Sequence, residues 1–427
     1  MRQPVAPTVL IDIPESFHYG PTVLEPAAAP SKGAANGTNG TNGTNGTTTD
    51  GDSSVEVTSL DVLGNFTGTF SGFGFNTIFR PNSSKTPTPL KVKPPPDDQT
   101  DNILQLNLTS ESMAFSPALG DVPNRGLDQQ ADISLNGVPY TQTISDITQI
   151  LPPPKTQPVI HFEPGLWMRV PASTVMPNLD ASFSRMASIP HGTSINAQCF
   201  LPVVTSQGAP VFPRVSITPT ALTGGKKIPF RSQTATKGDT HRLPQDLGPF
   251  IKDGTITQDV LDNPNIILDK ANQGKNIIEN TTFTITSATA SPELGGGTSN
   301  IGYLIGADAG FNIASPAERS GNANAASVTA QYWISKVRTK IDLEPYKTQN
   351  DINKDKTVSP RALSSRDAVP KFSLDRDVVS AKTVTFEYTQ IQYSQNVALD
   401  FNNLSWPHVT VGTLAPTALP LSSVVDY

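Results

Sequence analysis

The stretch Val159–Phe200, VIHFEPGLWMRVPASTVMPNLDASFSRMASIPHGTSINAQCF, contains the clearest strand and turn signals in the chain. Ala181–Ile189 and Thr193–Leu201 read as two strands, and the Pro-His-Gly at 190–192 joins them as a turn. The Pro-Gly at 164–165 predicts another turn, between the strands VIHFE and LWMRV. The stretch also holds two of the five histidines and the only cysteine. We interpret it as the inner wall of a pocket.

Strand signals continue outside this stretch. Asn136-Gly137 tolerates positive φ at both central positions of a tight turn, so it predicts a hairpin. Closing such strands into a lipocalin-like antiparallel β-barrel removes their exposed edges and leaves room for one small ligand. The fold class predicted is therefore all-β, with long loop insertions. The other segments with a strand pattern are Leu63–Pro81, Ile103–Thr109, Glu111–Ser116, Ala131–Ile147, Asn280–Ala290, Ser327–Arg338, Val384–Phe401 and Trp406–Leu414.

The first 54 residues form a separate, flexible segment by composition. Four consecutive Asn-Gly-Thr triplets run from Asn36 to Thr47 and cannot bury enough apolar area to offset their ordering entropy. Val9–Ile13 could add an edge strand. Residues 55–415 then form one barrel domain, and residues 416–427 form a loose tail.

Two regions interrupt the strand pattern of the barrel domain. Residues 202–275 are rich in Pro, Thr and Lys and predict an insertion or lid, with one short helix from Gln258 through Ala271. Residues 340–378 are charged, contain several prolines and predict a second excursion.

The composition excludes several classes of protein. The net charge of −6 is spread without long runs, which disfavours a nucleic-acid surface. A single cysteine, Cys199, excludes an internal disulfide and a thiolate zinc site. No segment has the roughly 18 apolar residues of a membrane span, and the N-terminus does not resemble a secretion signal. We expect a soluble cytoplasmic protein that binds a hydrophobic small molecule, with a homodimer left open.

Four polar residues are candidates for the chemistry. His161 and Glu163 lie two residues apart on one strand face, so they can act as an acid/base pair, begin a metal site or form a structural hydrogen bond. No third ligand has a fixed spacing, so a metal site is not predicted. His191 lies in a tight turn. His408 follows Trp-Pro and can cap the barrel or serve as an axial haem ligand.

Aromatic and sulfur-containing side chains can supply the apolar part of the pocket, although core packing explains them equally well. Cys199 has no neighbouring base in sequence, which argues against a nucleophilic role. The phosphate-loop, dinucleotide and nucleophile-elbow motifs are absent from the sequence. The candidate ligand-binding residues are Trp167, Phe183, Met186, Tyr332, Trp333, Tyr388 and His408.

Six blocks of the sequence, read together, resemble a family of microbial proteins that are sometimes labelled haem-binding or lipocalin-like. The resemblance covers residues 60–200 and 325–415. The Asn-Gly-Thr tract and the excursion at 340–378 depart from the simpler members. The blocks are FNTIFRP (75–81), VPNRG (122–126), DISLNGVPYTQTISD (132–146), IHFEPGLWMRVP (160–171), RMASIPHGTSINAQ (185–198) and DFNNLSWPHVTVGTL (400–414).

The chain is also similar to cyclases of fungal secondary metabolism, the hetero-Diels–Alderases that join a tropolone-derived quinone methide to a sesquiterpene alkene. This resemblance implies a cofactor-free pericyclic enzyme for polyketide or terpenoid intermediates, with His161, Glu163, Trp167 and His191 as the polar and aromatic wall. The alternative is a non-catalytic binder of haem or a lipophilic metabolite, with His161, His191 or His408 as contacts.

Overall fold

A computed structural model describes residues 59–82, 86–95, 102–153, 155–172, 178–290, 294–300, 323–348 and 356–421 of the chain. The expected edge strand Val9–Ile13 and the Asn-Gly-Thr tract lie outside these residues. None of the described helices is long and apolar enough to cross a membrane.

The described residues form many strands and few, short helices. The two 3-10 helices span Asp61–Asn65 and Arg231–Gln233, and the α-helices are α1 Gly248–Lys252, α2 Gln258–Asp262 and α3 Ile266–Asn272. The strands are β1 Gly68–Pro81, β2 Asn102–Phe115, β3 Val122–Asn124, β4 Ile133–Asp146, β5 Val159–Val170, β6 Ser182–Ser188, β7 Thr193–Cys199, β8 Val204–Gln207, β9 Thr220–Ala221, β10 Arg242–Leu243, β11 Asn276–Thr286, β12 Gly297–Asn300, β13 Asn324–Leu343, β14 Thr357–Val358, β15 Phe372–Ser373, β16 Lys382–Phe401, β17 Leu404–Pro416 and β18 Leu419–Pro420.

Ten of these strands close into an antiparallel barrel, which confirms the predicted all-β barrel. Their order around the barrel is β1, β2, β4, β5, β6, β7, β11, β13, β16 and β17, and β17 pairs with β1 to complete the ring. The contact between β7 and β11 is the narrowest, with the single pair Gln198 and Thr286. The short strand β12 pairs with β7 beside this junction, and β8 pairs with β11.

Two predicted turns are interior positions of continuous strands. Asn136-Gly137 lies within β4, and Pro164-Gly165 lies within β5. A Cβ on Gly137 would lie 2.7 Å from the carbonyl oxygen of Trp167, and a Cβ on Gly165 would lie 2.5 Å from the ring of Tyr140. Both glycines therefore serve close packing between β4 and β5, and neither has the positive φ of a hairpin turn. The predicted pair β6–β7, joined through residues 190–192, is confirmed.

Inward-facing side chains divide the barrel into two halves. One half is filled by apolar residues, including Trp167, Phe183 and Phe283, which pack edge to face or tilted against one another. The 3-10 helix at Asp61–Asn65 and the residue after it close this end, because Leu63 and Phe66 insert into the same cluster. Phe66 stacks on the ring of Phe115, with ring centroids 4.8 Å apart.

The two excursions pack against the outer face of the barrel. Residues 202–275 carry α1, α2 and α3 and cover outward-facing apolar side chains of β1, β2 and β17. The second excursion starts at residue 344, since β13 continues to Leu343, and its described residues form a second outer cluster with β13 and β16. The start of the expected tail also joins this side, since β18 pairs with β15 and Leu421 is fully buried.

Candidate ligand-binding cavity

The other half of the barrel contains a cavity of about 570 Å³. The cavity lies at the end of the barrel where β1 ends at Pro81, β2 begins at Asn102 and the β6–β7 turn is located. The volume falls within the range typical of small-molecule sites. No residue of 202–275 is among the described lining residues, so this excursion covers the side of the barrel rather than the cavity. The lining side chains are mixed in polarity and include Asn76, Arg80, Gln105, Asn107, Gln142, Ile144, His161, His191, Tyr393, Gln395, His408 and Thr410.

A buried ion pair lies at the base of the cavity. Arg185 on β6 pairs with Glu163 on β5, and both side chains are almost fully shielded from solvent. Arg185 also donates to Tyr140 Oη at 2.7 Å, to Tyr332 Oη at 2.9 Å and to Gln395 Oε1 at 2.7 Å. These bonds cross the barrel interior and use most of the five guanidinium N–H groups.

The neighbours of Glu163 stabilise the ionised form of its carboxyl group. Burial alone raises the pKa of this carboxyl group, but the Arg185 charge and the bonds from His161 and Tyr140 outweigh it and lower the pKa to about 2. Glu163 is therefore ionised at neutral pH, and its negative charge also raises the pKa of Arg185 against the effect of burial.

A second buried carboxyl group, Glu111 on β2, forms no ion pair with a basic side chain in the described part of the chain. It accepts hydrogen bonds from Tyr393 Oη and from Gln142 Nε2, both at 2.7 Å. Burial outweighs these bonds and raises the pKa of Glu111 to about 7. We call this layer the polar floor; its residues are Glu111, Tyr140, Gln142, Glu163, Arg185, Tyr332, Tyr393 and Gln395.

His161 and His191 lie together on the cavity wall. Their rings are perpendicular, with centroids 5.2 Å apart. His161 Nε2 lies 3.2 Å from Glu163 Oε2. The two side chains therefore lie on the same face of β5, as their spacing predicted. Because the ionised carboxylate only accepts, Nε2 of His161 carries the proton. Burial, with the nearby His161, lowers the pKa of His191.

His408 lies at the end of a chain of side-chain amides on β1, β2 and β17. Asn76 Nδ2 is 2.7 Å from His408 Nε2 and donates to Thr410 Oγ1 at 2.8 Å. Asn76 Oδ1 accepts from Asn107 Nδ2 at 3.1 Å. Burial, with the charges of His161 and His191, lowers the pKa of His408 to about 3. His408 is therefore neutral under ordinary conditions.

The chain of amides continues to a guanidinium group at the cavity rim. Asn107 Oδ1 accepts from Gln105 Nε2, and Gln105 Oε1 accepts from Arg80 Nε, both at 3.2 Å. We call the four residues Arg80, Gln105, Asn107 and Asn76 the amide relay. Their side chains share one face of β1 and β2, where they line the cavity.

Of the residues predicted for the site, the structure brings His161, His191 and His408 to one cavity. Glu163 lies beneath them in the polar floor. Tyr332 also belongs to the floor, and its ring stacks on Phe283 with centroids 5.4 Å apart. Trp167 and Phe183 lie deeper, in the closed apolar half of the barrel.

Three other predicted pocket residues do not line the cavity. Met186 is partly buried and alternates with the inward-facing Arg185 on β6. Trp333 points outward and packs against Phe212 of the first excursion, with ring centroids 4.7 Å apart. Tyr388 belongs to the second outer cluster. Their strands were predicted, but the face on which each lies depends on the register with neighbouring strands.

Sequence reasoning did not identify Arg185, Glu111 or the amide relay. A signal exists for Arg185, because it shares its strand face with the apolar Phe183 and Ala187. Glu111 likewise shares its strand face with the apolar Met113 and Phe115 on β2. A charged residue on the apolar face of a strand is a useful indicator of a buried polar contact.

The three cavity histidines differ in whether they leave a nitrogen free to ligate a haem iron. Haem ligation by histidine needs an imidazole nitrogen with a free lone pair. His161 donates through Nε2 to Glu163 and keeps its Nδ1 lone pair, whereas the Nε2 lone pair of His408 accepts from Asn76. Of these three cavity histidines, His191 alone has no hydrogen bond to a ring nitrogen in the described part of the chain. No group of three His, Cys, Asp or Glu residues with metal-binding geometry occurs among the described residues.

The fold and the cavity define an antiparallel ten-stranded β-barrel with a pocket of small-molecule size. Comparisons with protein-family models, with curated proteins and with solved structures find no match for this chain.

Proposed function

We propose that the barrel is a cofactor-independent pericyclase, which encloses a hydrophobic polyketide or terpenoid intermediate and directs a hetero-Diels–Alder cyclisation. The observation that carries the proposal is the cavity itself, in which isoleucine and other apolar side chains alternate with polar groups held by hydrogen bonds. A pericyclic reaction needs enclosure in a near-attack geometry and a hydrogen bond to the activated oxygen, both of which such a cavity can supply.

The chemistry of the lining agrees with this reaction class. The described lining residues include the hydroxyl groups of Thr193, Thr410 and Tyr393 but no serine or cysteine. In a hetero-Diels–Alder reaction of a quinone methide with an alkene, one C–C and one C–O bond form together and no proton is lost. The reaction therefore needs no nucleophile or base. The resemblance to fungal cyclases supports the same class.

A direct test uses an ortho-quinone methide generated in the presence of an electron-rich alkene, with the dihydropyran product resolved by chiral chromatography. We expect one enantiomer to be enriched in the presence of the protein. Ile144→Trp fills the cavity from β4 and should return the product to a racemate, because the reactants no longer fit together inside the barrel. Val204→Trp, at an exposed position of β8, is the matched control and should retain the enrichment.

The alternative is a carrier that binds a lipophilic metabolite without reaction. In that case the reactants bind to the parent protein and not to Ile144→Trp, yet the product stays racemic with both.

Haem loading is checked separately by titrating the purified protein with haemin. We expect no stoichiometric Soret band that survives desalting, and a stable band lost in His161→Ala or His191→Ala would contradict this expectation.

A further inference from the structure

Arg80 fixes the direction of every hydrogen bond in the amide relay. A guanidinium group has N–H donors and no acceptor, so Arg80 must donate to Gln105. The oxygen of the Gln105 amide is then used as the acceptor, and its NH₂ group must face Asn107. The same reasoning orients Asn107 and then Asn76. Each amide accepts a hydrogen bond through its oxygen and donates through its NH₂ group to the next residue towards His408.

The last donor of the relay faces His408. With its oxygen occupied by Asn107, the Asn76 amide presents its NH₂ group to His408 Nε2. A neutral imidazole has one donor and one acceptor nitrogen, and here Nε2 is the acceptor. The proton of His408 therefore lies on Nδ1. His408 lines the cavity, and no described side chain accepts a hydrogen bond from this Nδ1–H.

We propose that the amide relay locks His408 as the Nδ1–H tautomer, which gives the cavity a fixed, uncharged hydrogen-bond donor for a neutral carbonyl oxygen of the ligand. The inference rests on the proposed function only in assuming that a small molecule enters the cavity. It assigns Arg80, Gln105, Asn107 and Asn76 as positioning residues and His408 as the residue that contacts the ligand.

The neutral Nδ1–H group of His408 suits a neutral acceptor better than a charged one. A carboxylate ligand would favour a protonated imidazole, but Asn76 already occupies the nitrogen that would take the second proton. His161 and His191 also face this histidine from β5 and the β6–β7 turn and disfavour a further positive charge. A ketone, enone or quinone methide oxygen needs one donor and no counter-charge, which His408 offers.

The tautomer can be measured in the unsubstituted protein. Two-dimensional NMR of the ¹⁵N-labelled imidazoles distinguishes Nδ1–H from Nε2–H, and His408→Gln assigns the His408 signals. We expect Nδ1–H from pH 5 to pH 8. An Nε2–H tautomer, or an imidazolium, would overturn the relay without bearing on whether the cavity binds small molecules.

Asn76→Asp removes the donor at the end of the relay. A carboxylate accepts only, so we expect His408 to turn to the neutral Nε2–H tautomer, in which Nδ1 has no proton to donate to a ligand oxygen. Asn196→Asp adds the same charge at an exposed position of β7 and is the matched control. It should leave the His408 spectrum unchanged. If Asn76→Asp does not fold, the measurement on the parent protein still decides the tautomer.

Fluorenone and fluorene are suitable ligand probes, because these rigid molecules differ only in a carbonyl group replacing a methylene group. We expect the parent and Asn196→Asp to bind fluorenone roughly five-fold to ten-fold more tightly, which is the net effect of one hydrogen bond. The carbonyl stretch of bound fluorenone should move to lower wavenumber. Asn76→Asp should lose both effects.

The outcomes separate the two proposals. Equal affinity for fluorenone and fluorene would overturn the carbonyl assignment and leave a small-molecule cavity standing. If neither probe binds the parent protein, the assignment fails together with the proposed function. A fluorenone preference that persists in Asn76→Asp, with His408 observed as the Nε2–H tautomer, would show that the donor is not set by the relay.

Discussion

Replacing Arg185 by methionine is expected to lower the free energy of unfolding by about 3–5 kcal/mol at pH 7, the cost of leaving a buried charge without its partner. Methionine roughly fills the volume but supplies none of the donors that Arg185 directs to Glu163, Tyr140, Tyr332 and Gln395. Urea unfolding followed by tryptophan fluorescence measures the loss, since Trp167 lies against Tyr332, with ring centroids 5.1 Å apart.

Two comparisons separate the buried charge from simple loss of packing. The double variant Arg185→Met with Glu163→Gln removes the unpaired carboxylate, so it should be more stable than Arg185→Met alone. Arg338→Met removes the matched arginine of an exposed cross-strand pair with Glu387 on β13 and β16 and should cost less than about 1 kcal/mol. Equal losses at Arg185 and Arg338 would contradict the role of the polar floor.

We expect the effect of replacing Glu111 by glutamine on the free energy of unfolding to depend on pH. The change caused by the substitution should be about 3 kcal/mol more stabilising at pH 8.5 than at pH 4.5. Burial raises the pKa of Glu111 from 4.5 in the unfolded chain to about 7 in the barrel. The neutral carboxyl group thus favours folding below its unfolded pKa. This contribution is lost as the pH rises through 7. Glutamine keeps the neutral form at every pH.

The measurement is the free energy of unfolding of Glu111→Gln minus that of the parent, from urea titrations at several pH values. Taking the difference cancels much of the titration elsewhere; His161 and Glu163, which interact with Glu111, remain in both proteins. Glu344→Gln, at an exposed position, should give a flat difference. A flat difference for Glu111→Gln as well would mean that its carboxyl group titrates as it does in the unfolded chain.

The two carboxyl groups of the polar floor make opposite contributions to the pH profile. Glu163, with its pKa lowered to about 2, stabilises the fold above its unfolded pKa, and this contribution is lost as the pH falls through 2. Glu111 stabilises the fold at the acidic side of 7. These two groups together favour greatest stability at mildly acidic pH, with one carboxyl group ionised and the other neutral.

Much of the barrel was predictable because strand alternation is a local property. The pair β6–β7 and the joint face of His161 and Glu163 follow from spacing alone. The turns predicted at Asn136-Gly137 and Pro164-Gly165 were wrong, because the same glycines serve equally well where two strands pack closely. Sequence cannot distinguish these two uses of glycine without knowledge of the neighbouring strand.

The sequence by itself determined the all-β class, most strand positions and the histidines as cavity candidates. The tertiary structure alone decided which side chains meet, including Arg185 with Gln395, and Asn76 with His408. It also placed Trp333 and Tyr388 on the outside of the barrel. The physical reason is that periodicity fixes the two faces of each strand, whereas closure of the barrel sets which face is inside and which distant polar groups must satisfy one another there.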